Sequence, residues 1–201
     1  MILAIDTSTP RGSIALLDGD RIVLAEVFPC DRSQGSDLYR LLTQARDLAP
    51  RITKIALGIG PGSYAGVRIS IASGLGLSLA SGAELVGLSS VTAFETDAPE
   101  YFAIGDARRD SFYFSKIRDG VCVEAPQILE AAVLAEKLAG SPKLPVFTTA
   151  PLPAFPQAAI AMPSAVKLAR LAASGIGIMA TGDFEPLYLR EPYITQPKSH
   201  K

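Results

Sequence analysis

Apolar residues fall into short runs and two helical stripes along the first half of the chain. Residues 2–5 form a continuous apolar run, the pattern of a strand buried on both faces, and it ends in Asp6-Thr7-Ser8-Thr9. Residues 13–17 and 21–27 read as two further strands joined at Asp18-Gly19-Asp20, a glycine-containing hairpin signal, so the chain starts as a three-stranded antiparallel unit. Over 36–48, Leu38, Leu41, Leu42, Ala45 and Leu48 recur at helical spacing while Asp37, Arg40, Gln44 and Asp47 fall elsewhere on the wheel, and Pro50 stops the helix. Residues 54–59 predict a strand, Pro61-Gly62-Ser63 a turn, 65–80 a helix and 84–87 another strand.

Around Thr96-Asp97-Ala98-Pro99 the composition shifts, which predicts two halves, 1–97 and 98–201. In the second, 101–104 and 111–117 read as strands around Asp106-Ala107-Arg108-Arg109, followed by a helix over 130–138. Five of the fifteen prolines lie between Pro142 and Pro156, which predicts an extended, irregular loop rather than core. Residues 160–162 predict a short strand, Ser164 caps a helix through Ala173, and 186–195 close the fold.

The stretch from Gly58 to Ala83 holds seven glycines and one charge, Arg68. A phosphate-wrapping loop would need a lysine after its last glycine, and none lies between Lys54 and Lys116. The dinucleotide pattern fails because Gly58-x-Gly60 is followed three places on by Ser63. Fifteen residues separate Arg68 from Glu84, short of the roughly 20 that span a bilayer. Packing survives as the explanation. Val67, Ile71, Leu75 and Leu79 form one ridge, and Gly66, Ser70, Gly74 and Ser78 an adjacent flat one. Gly66, Gly74 and Gly76 together forgo roughly 3 kcal/mol of helix stability, which close approach of a neighbouring backbone must offset. By itself the pattern leaves open whether that neighbour is internal or another subunit.

Composition narrows the chemistry. With 201 residues and 48% apolar content the chain can bury a sizeable core. Nineteen Lys and Arg against twenty Asp and Glu leave no broad positive field for a polyanion, so the chain alone should bind nucleic acid poorly. Cys30 and Cys122 match neither a redox nor a zinc spacing and read as reduced thiols. The one histidine, His200, sits in a polar tail, which argues against a His-based triad, metal site or general base; a Ser-Lys or carboxylate pair stays possible. The amino-terminal run goes straight into a strand-like segment without a basic leader, an expectation of the cytoplasm.

Several blocks together resemble one family. ILAIDTSTPRGSIALLDGD, GIGPGSYAGVRISIASGLGLSLA, IGDARRDSFYFSKI and PLYLREPYI are similar, in order and spacing, to the bacterial TsaB family, formerly YeaZ. The resemblance implies an α/β fold of the actin, sugar-kinase and heat-shock ATPase (ASKHA) class, with two related lobes of mixed sheet. It also implies a non-catalytic subunit of the machinery that places threonylcarbamoyl on N6 of adenosine 37 in tRNA. The implied partners are a catalytic TsaD-like subunit and a small TsaE-like ATPase, with a homodimer when the chain is alone. ATP or ADP and tRNA would be met only at the level of the complex, with no catalytic metal and no membrane. Pairing in the family runs through the two helices of the first lobe. Carried onto this chain, that nominates Leu38, Leu41, Leu42, Ala45, Gly66, Val67, Ser70, Ile71, Gly74, Leu75 and Ser78 as the partner surface.

Two departures qualify the resemblance. Many members carry a histidine near the start of the first of these helices, where this chain has Gln34. ATP-binding relatives of the fold class have Asp-x-Gly-Thr at the first loop, where this chain has Asp6-Thr7-Ser8-Thr9; the Cβ of Ser8 disfavours a tight phosphate grip. Asp6, Thr7 and Ser8 read either as a structural loop or as a vestigial nucleotide loop. Arg108 and Arg109 read as a solvated turn or as a contact with tRNA or a partner's acid. The competing function is an ATP phosphotransferase of the sugar-kinase type using Asp6 and Thr7, and more remotely a peptidase.

Overall fold

The computed structural model describes residues 1–30, 35–49, 51–182 and 185–189, with the backbone alone at 35 and 36. Its first six-stranded sheet begins with the meander β1 (Ile2–Asp6), β2 (Arg11–Asp18) and β3 (Arg21–Pro29), antiparallel in register from Ile2↔Leu17 outward. Helix α1 (Gly35–Leu48) leads to β4 (Lys54–Gly58), α2 (Tyr64–Ser81) to β5 (Glu84–Leu88), and β4 and β5 run parallel to β1. The strand order is β11-β5-β4-β1-β2-β3, where β11 (Ile178–Thr181) joins from the far end of the chain.

The second sheet repeats this plan. Its meander is β6 (Glu100–Asp106), β7 (Ser111–Arg118) and β8 (Val121–Glu130); α3 (Ala131–Ala139) precedes β9 (Val146–Thr148), and β9 and β10 (Ala159–Ile160) lie parallel to β6 in the order β10-β9-β6-β7-β8. Two lobes of one topology are therefore present, as the resemblance implies. Strand β8 has no counterpart in the reading of the pattern. Its signal was the dipeptide Asp119-Gly120, with φ of 51° and 78°, the left-handed pair a tight hairpin requires. Pro126 is tolerated because β8 is an edge strand.

The expected division at residue 97 is corrected by the return of the chain. Helix α4 (Ala165–Ala173) packs on the first sheet, against Ala4, Ala15, Leu17, Ala56 and Val86, and β11 pairs with β5. The small side chains of Ala4, Ala15 and Ala56 meet Ala165, Ala169 and Ala172, which lets helix and sheet approach closely. Lys167 clamps α4 to the link between the lobes by donating to the carbonyls of Phe94 (2.8 Å) and Thr96, and burial lowers its pKa. Ser164 precedes α4 as expected but its side chain makes no cap bond; Ser13 Oγ, from β2, accepts from Ala165 N instead, at 3.0 Å.

The proline-rich segment is likewise corrected. It takes the place in the second lobe that α2 holds in the first. Lacking a helix there, it buries Leu152 and Phe155 (8% and 4% exposed) with Phe102, Ile104, Phe114 and Leu134, and Phe155 meets Phe112 edge-on at 4.9 Å.

Candidate functional site

The loop after β1 is closed by the glycine stretch. Asp6, Thr7, Ser8 and Thr9 are 1, 1, 2 and 4% exposed. Asp6 Oδ1 accepts from Ser8 N (2.8 Å) and Ser8 Oγ (2.6 Å), while Ser63 N donates to the Ser8 carbonyl at 2.6 Å. Three glycines permit the contact: a Cβ at Gly58 would lie 1.8 Å from Asp6 Oδ2, at Gly62 2.3 Å from Ser8 O, and at Gly66 1.9 Å from Thr7 O. The groups with which such a loop would hold phosphate are thus engaged with the chain itself. Asp6 Oδ2 is buried without a well-formed hydrogen bond among the described residues. Burial pushes the Asp6 carboxyl up from its ordinary value, opposed by the Ser8 hydroxyl and N–H and, least, by Ser90.

Of the eleven residues nominated as partner surface, nine are buried within the chain: Leu38, Leu41, Leu42, Ala45, Gly66, Val67, Ser70, Ile71 and Gly74. The assignment to an open surface is corrected for eight of them; Leu42, though buried, still lines the open side between α1 and α2. Leu38, Leu41, Ala45, Val67 and Ile71 share one core with Leu3, Ile5 and Leu57. A Cβ on Gly74 would lie 2.6 Å from Leu57 Cδ1, so the flat ridge of α2 seats the helix on β4. Ser70 Oγ donates to Val67 O and to Gly58 O, again inward. Leu75 is half-buried against the same core, and Ser78, also half-buried, closes the helix end: its Oγ donates to Ala83 O and its carbonyl accepts from Gly82 N, at a left-handed φ of 69°.

Leu42 apart, the exposed face of the same two helices is a different set. Between α1 and α2 lies an open groove of about 550 Å³, to which α1 contributes Tyr39, Leu42, Thr43 and Arg46 and α2 contributes Arg68, Ile69, Ala72, Ser73, Gly76 and Leu77. Tyr39 is 67% and Ile69 48% exposed, and Leu79, beyond the end of the groove, 85%. A Cβ at Gly76 would meet nothing within 4 Å, so this glycine leaves open space rather than serving the core. The wheel carried this information: an inward stripe implies an outward one, and two helix-sheet layers need the greasier stripe for themselves.

At the amino-terminal end of α2 the cation Arg68 is fixed by two rings. Tyr64 and Tyr188 stack at 5.1 Å, the Arg68 guanidinium carbon lies 3.9 Å from the Tyr64 centroid, and Arg68 Nε donates to Tyr188 Oη at 2.7 Å. The 185–189 segment reaches this point because Leu187 N donates to Ile59 O at 2.9 Å; Leu187 packs on the first lobe's core and Leu189 on the second lobe's.

In the second lobe Asp106 ends β6 as Asp6 ends β1, and Arg108 N donates to Asp106 Oδ1 at 2.7 Å just as Ser8 N does to Asp6. This turn is exposed rather than sealed. Arg108, Arg109 and Asp110 all take left-handed φ, 66°, 55° and 54°, and Arg108 pairs with Asp106 at 3.4 Å. Among the described residues no cluster of three or more acidic, cysteine or histidine side chains could hold a metal, and no helix is long and apolar enough to cross a membrane. Gln34, His200 and Arg190 through Thr195 lie outside the described residues.

Comparison with known proteins gives this geometry a context. The family model described as TsaD: tRNA N6-adenosine threonylcarbamoyltransferase matches residues 37–184. The tRNA threonylcarbamoyladenosine biosynthesis protein TsaB of Escherichia coli (strain K12) is 32% identical over 129 residues, 57% of this chain and 54% of that protein. An uncharacterized Mycobacterium tuberculosis protein is 28% identical over 204 residues, covering 95% of this chain and 92% of that one. Among solved structures, YeaZ from Pseudomonas aeruginosa superposes with a TM-score of 0.66 at 24% identity, covering 87% of this chain and 91% of that one. A second, described as similar to the peptidase YeaZ from Pseudomonas aeruginosa, reaches 0.68 at 27%, covering 94% and 99%. With the duplicated actin-like topology and the sequence match in agreement, the chain belongs to the TsaB/YeaZ family.

Proposed function

We propose that this chain is a non-catalytic subunit of the machinery that forms N6-threonylcarbamoyladenosine in tRNA. In this reading the exposed face of α1 and α2 docks onto a TsaD-like catalytic chain and stabilises it. The observation that carries the proposal is the pairing of a sealed loop with an open groove. Asp6, Thr7 and Ser8, which a kinase of this fold class would turn toward phosphate, are buried under the chain's own glycines, while Tyr39 and Ile69 stand exposed beside a groove of about 550 Å³. An exposed helix face carrying apolar side chains such as Tyr39 and Ile69 is the feature a docking subunit needs. A TsaE-like ATPase, ATP or ADP, and tRNA are then met by the assembled complex, in the cytoplasm, and pairing of two copies through the same face competes with docking.

The test is co-purification of the full chain with the TsaD-like protein of the same cell, together with mass-spectrometric measurement of the modified nucleoside in tRNA. Ile69→Asp, which charges an exposed position without touching the core, is expected to lose the partner and lower the modified nucleoside. Unchanged co-purification and unchanged tRNA would refute the reading. Millimolar or tighter Mg-ATP binding by the isolated chain, lost in Asp6→Ala, would instead support the phosphotransferase.

A further inference from the structure

Tyr188 sits in a segment seated on both lobes. On one side of it Leu187 N donates to Ile59 O at 2.9 Å and the Leu187 side chain packs on the first lobe's core; on the other, Leu189 packs on the cluster of Val91, Phe94 and Tyr101. Those contacts anchor the segment without help from Tyr188. Its ring, 38% exposed, turns outward instead, stacking on Tyr64 and accepting from Arg68 Nε at 2.7 Å.

Helix stability does not explain why a cation stands here. The Arg68 guanidinium lies over Tyr64, the first residue of α2, where the helix dipole disfavours positive charge, and it makes no ion pair among the described residues. What the two tyrosines give it is direction. A guanidinium is a rigid planar fork of five N–H donors. Tyr188 takes the Nε–H and Tyr64 covers one face at 3.9 Å, which leaves the two terminal nitrogens for the groove, the edge that grips an acceptor group with two parallel bonds. Resting on the reading that this groove docks a partner, we infer that Tyr188 is a positioning residue for docking: through Arg68 it aims the terminal edge of the guanidinium at an acceptor oxygen of the partner. Because the segment bearing Tyr188 is held by both lobes, that aim depends on the lobes keeping their present arrangement. The far end of the chain thereby takes part in a surface built by α1 and α2.

A double-mutant cycle tests this. Tyr188→Phe removes the hydroxyl that accepts from Nε and keeps the stacked ring and the segment's packing, and thermal unfolding checks that the fold is unchanged. Isothermal titration then measures the affinity of the full chain for the TsaD-like protein of the same cell. Tyr188→Phe is expected to weaken docking by about three- to ten-fold, and Arg68→Ala by about ten-fold or more. In the Arg68→Ala background Tyr188→Phe should add less than about two-fold, since nothing is left to aim. Arg68→Lys, which keeps the charge but has no Nε edge, should bind weakly and be indifferent to Tyr188→Phe. Wild-type affinity in Tyr188→Phe or in Arg68→Lys, or an equal loss from Tyr188→Phe with and without Arg68, would each overturn the inference. Ile69→Asp separates it from the reading beneath it. Unchanged affinity in Ile69→Asp means that the groove is not the docking surface; a loss in Ile69→Asp with none in Tyr188→Phe means that only the positioning role fails.

Discussion

Gly66 and Thr7 hold each other from both sides: Thr7 Oγ1 donates to the Gly66 carbonyl at 2.6 Å, and a Cβ on Gly66 would lie 1.9 Å from the Thr7 carbonyl oxygen. The first turn of α2 is therefore seated on the loop that follows β1. The obstacle is backbone, which cannot swing aside as a flexible side chain can. Gly66→Ala is expected to destabilise the chain by about 1–3 kcal/mol, despite alanine's better helix propensity. Urea unfolding should show a lower midpoint with an unchanged slope.

Gly74 and Gly76 are two residues apart on α2 and should respond oppositely to leucine. At 74 the new side chain runs into Leu57 on β4, so Gly74→Leu should cost the fold about 3 kcal/mol. At 76 nothing stands within 4 Å, and replacing a helical glycine should stabilise the chain by up to about 1 kcal/mol while filling the groove. Thermal unfolding of the two variants, with co-purification of the TsaD-like partner for Gly76→Leu, checks both halves. A folded Gly76→Leu chain that still binds would remove the groove from the interface.

The two lobes contain carboxylates with opposite pH signatures. Burial holds the Asp6 carboxyl above its ordinary 3.8, so the stability tied to this group is complete below pH 3.8 and is lost as pH rises through the raised folded value. Asp6→Asn should flatten this dependence, and its advantage over wild type should grow from pH 4 to pH 7. Glu100 behaves in reverse. Hydrogen bonds from Arg118 and then Lys116 lower it from 4.5 to about 2, so its contribution is present above pH 4.5 and lost as pH falls toward 2. Glu100→Gln should therefore lessen the acid sensitivity of the chain. Urea midpoints measured between pH 3 and pH 8 for the two variants and wild type resolve the two slopes.

Phe155 tests whether the proline-rich segment is structural. Its ring is 4% exposed, between Phe112 and the α3 side of the second sheet. Phe155→Ala is expected to cost about 3–5 kcal/mol. A loss below about 1 kcal/mol in denaturant unfolding would show that the segment is merely draped over the lobe.

Legibility in the sequence followed the range of the interactions involved. The meander, the two helices of the first lobe and both parallel strands after them could be read because periodicity, the Asp18-Gly19-Asp20 turn and the breaks at glycine and proline are local. The motif blocks carried the family. Asp6 could be marked as the end of a strand, but whether its loop faces a ligand or the chain's own backbone depended on glycines at 58, 62 and 66, more than fifty residues away. Arg68 was visible as the only charge in its stretch; its role at the groove required Tyr188, 120 residues further on.

The sequence by itself determined the helices and strands of the first lobe, the presence of a second α/β unit, and the family, since these rest on side-chain periodicity and motif spacing along the chain; β8, β9 and β11 were not read from it. Tertiary structure alone decided which stripe of α1 and α2 the sheet claims and which is left exposed, because the greasier face is consumed by the nearest layer and a helical wheel does not say where that layer is. It also decided that α4 and β11 return to the first lobe. Their place is fixed by contacts such as Ser13 with Ala165 and Lys167 with Phe94, and no local pattern encodes a bond across 152 or 73 positions.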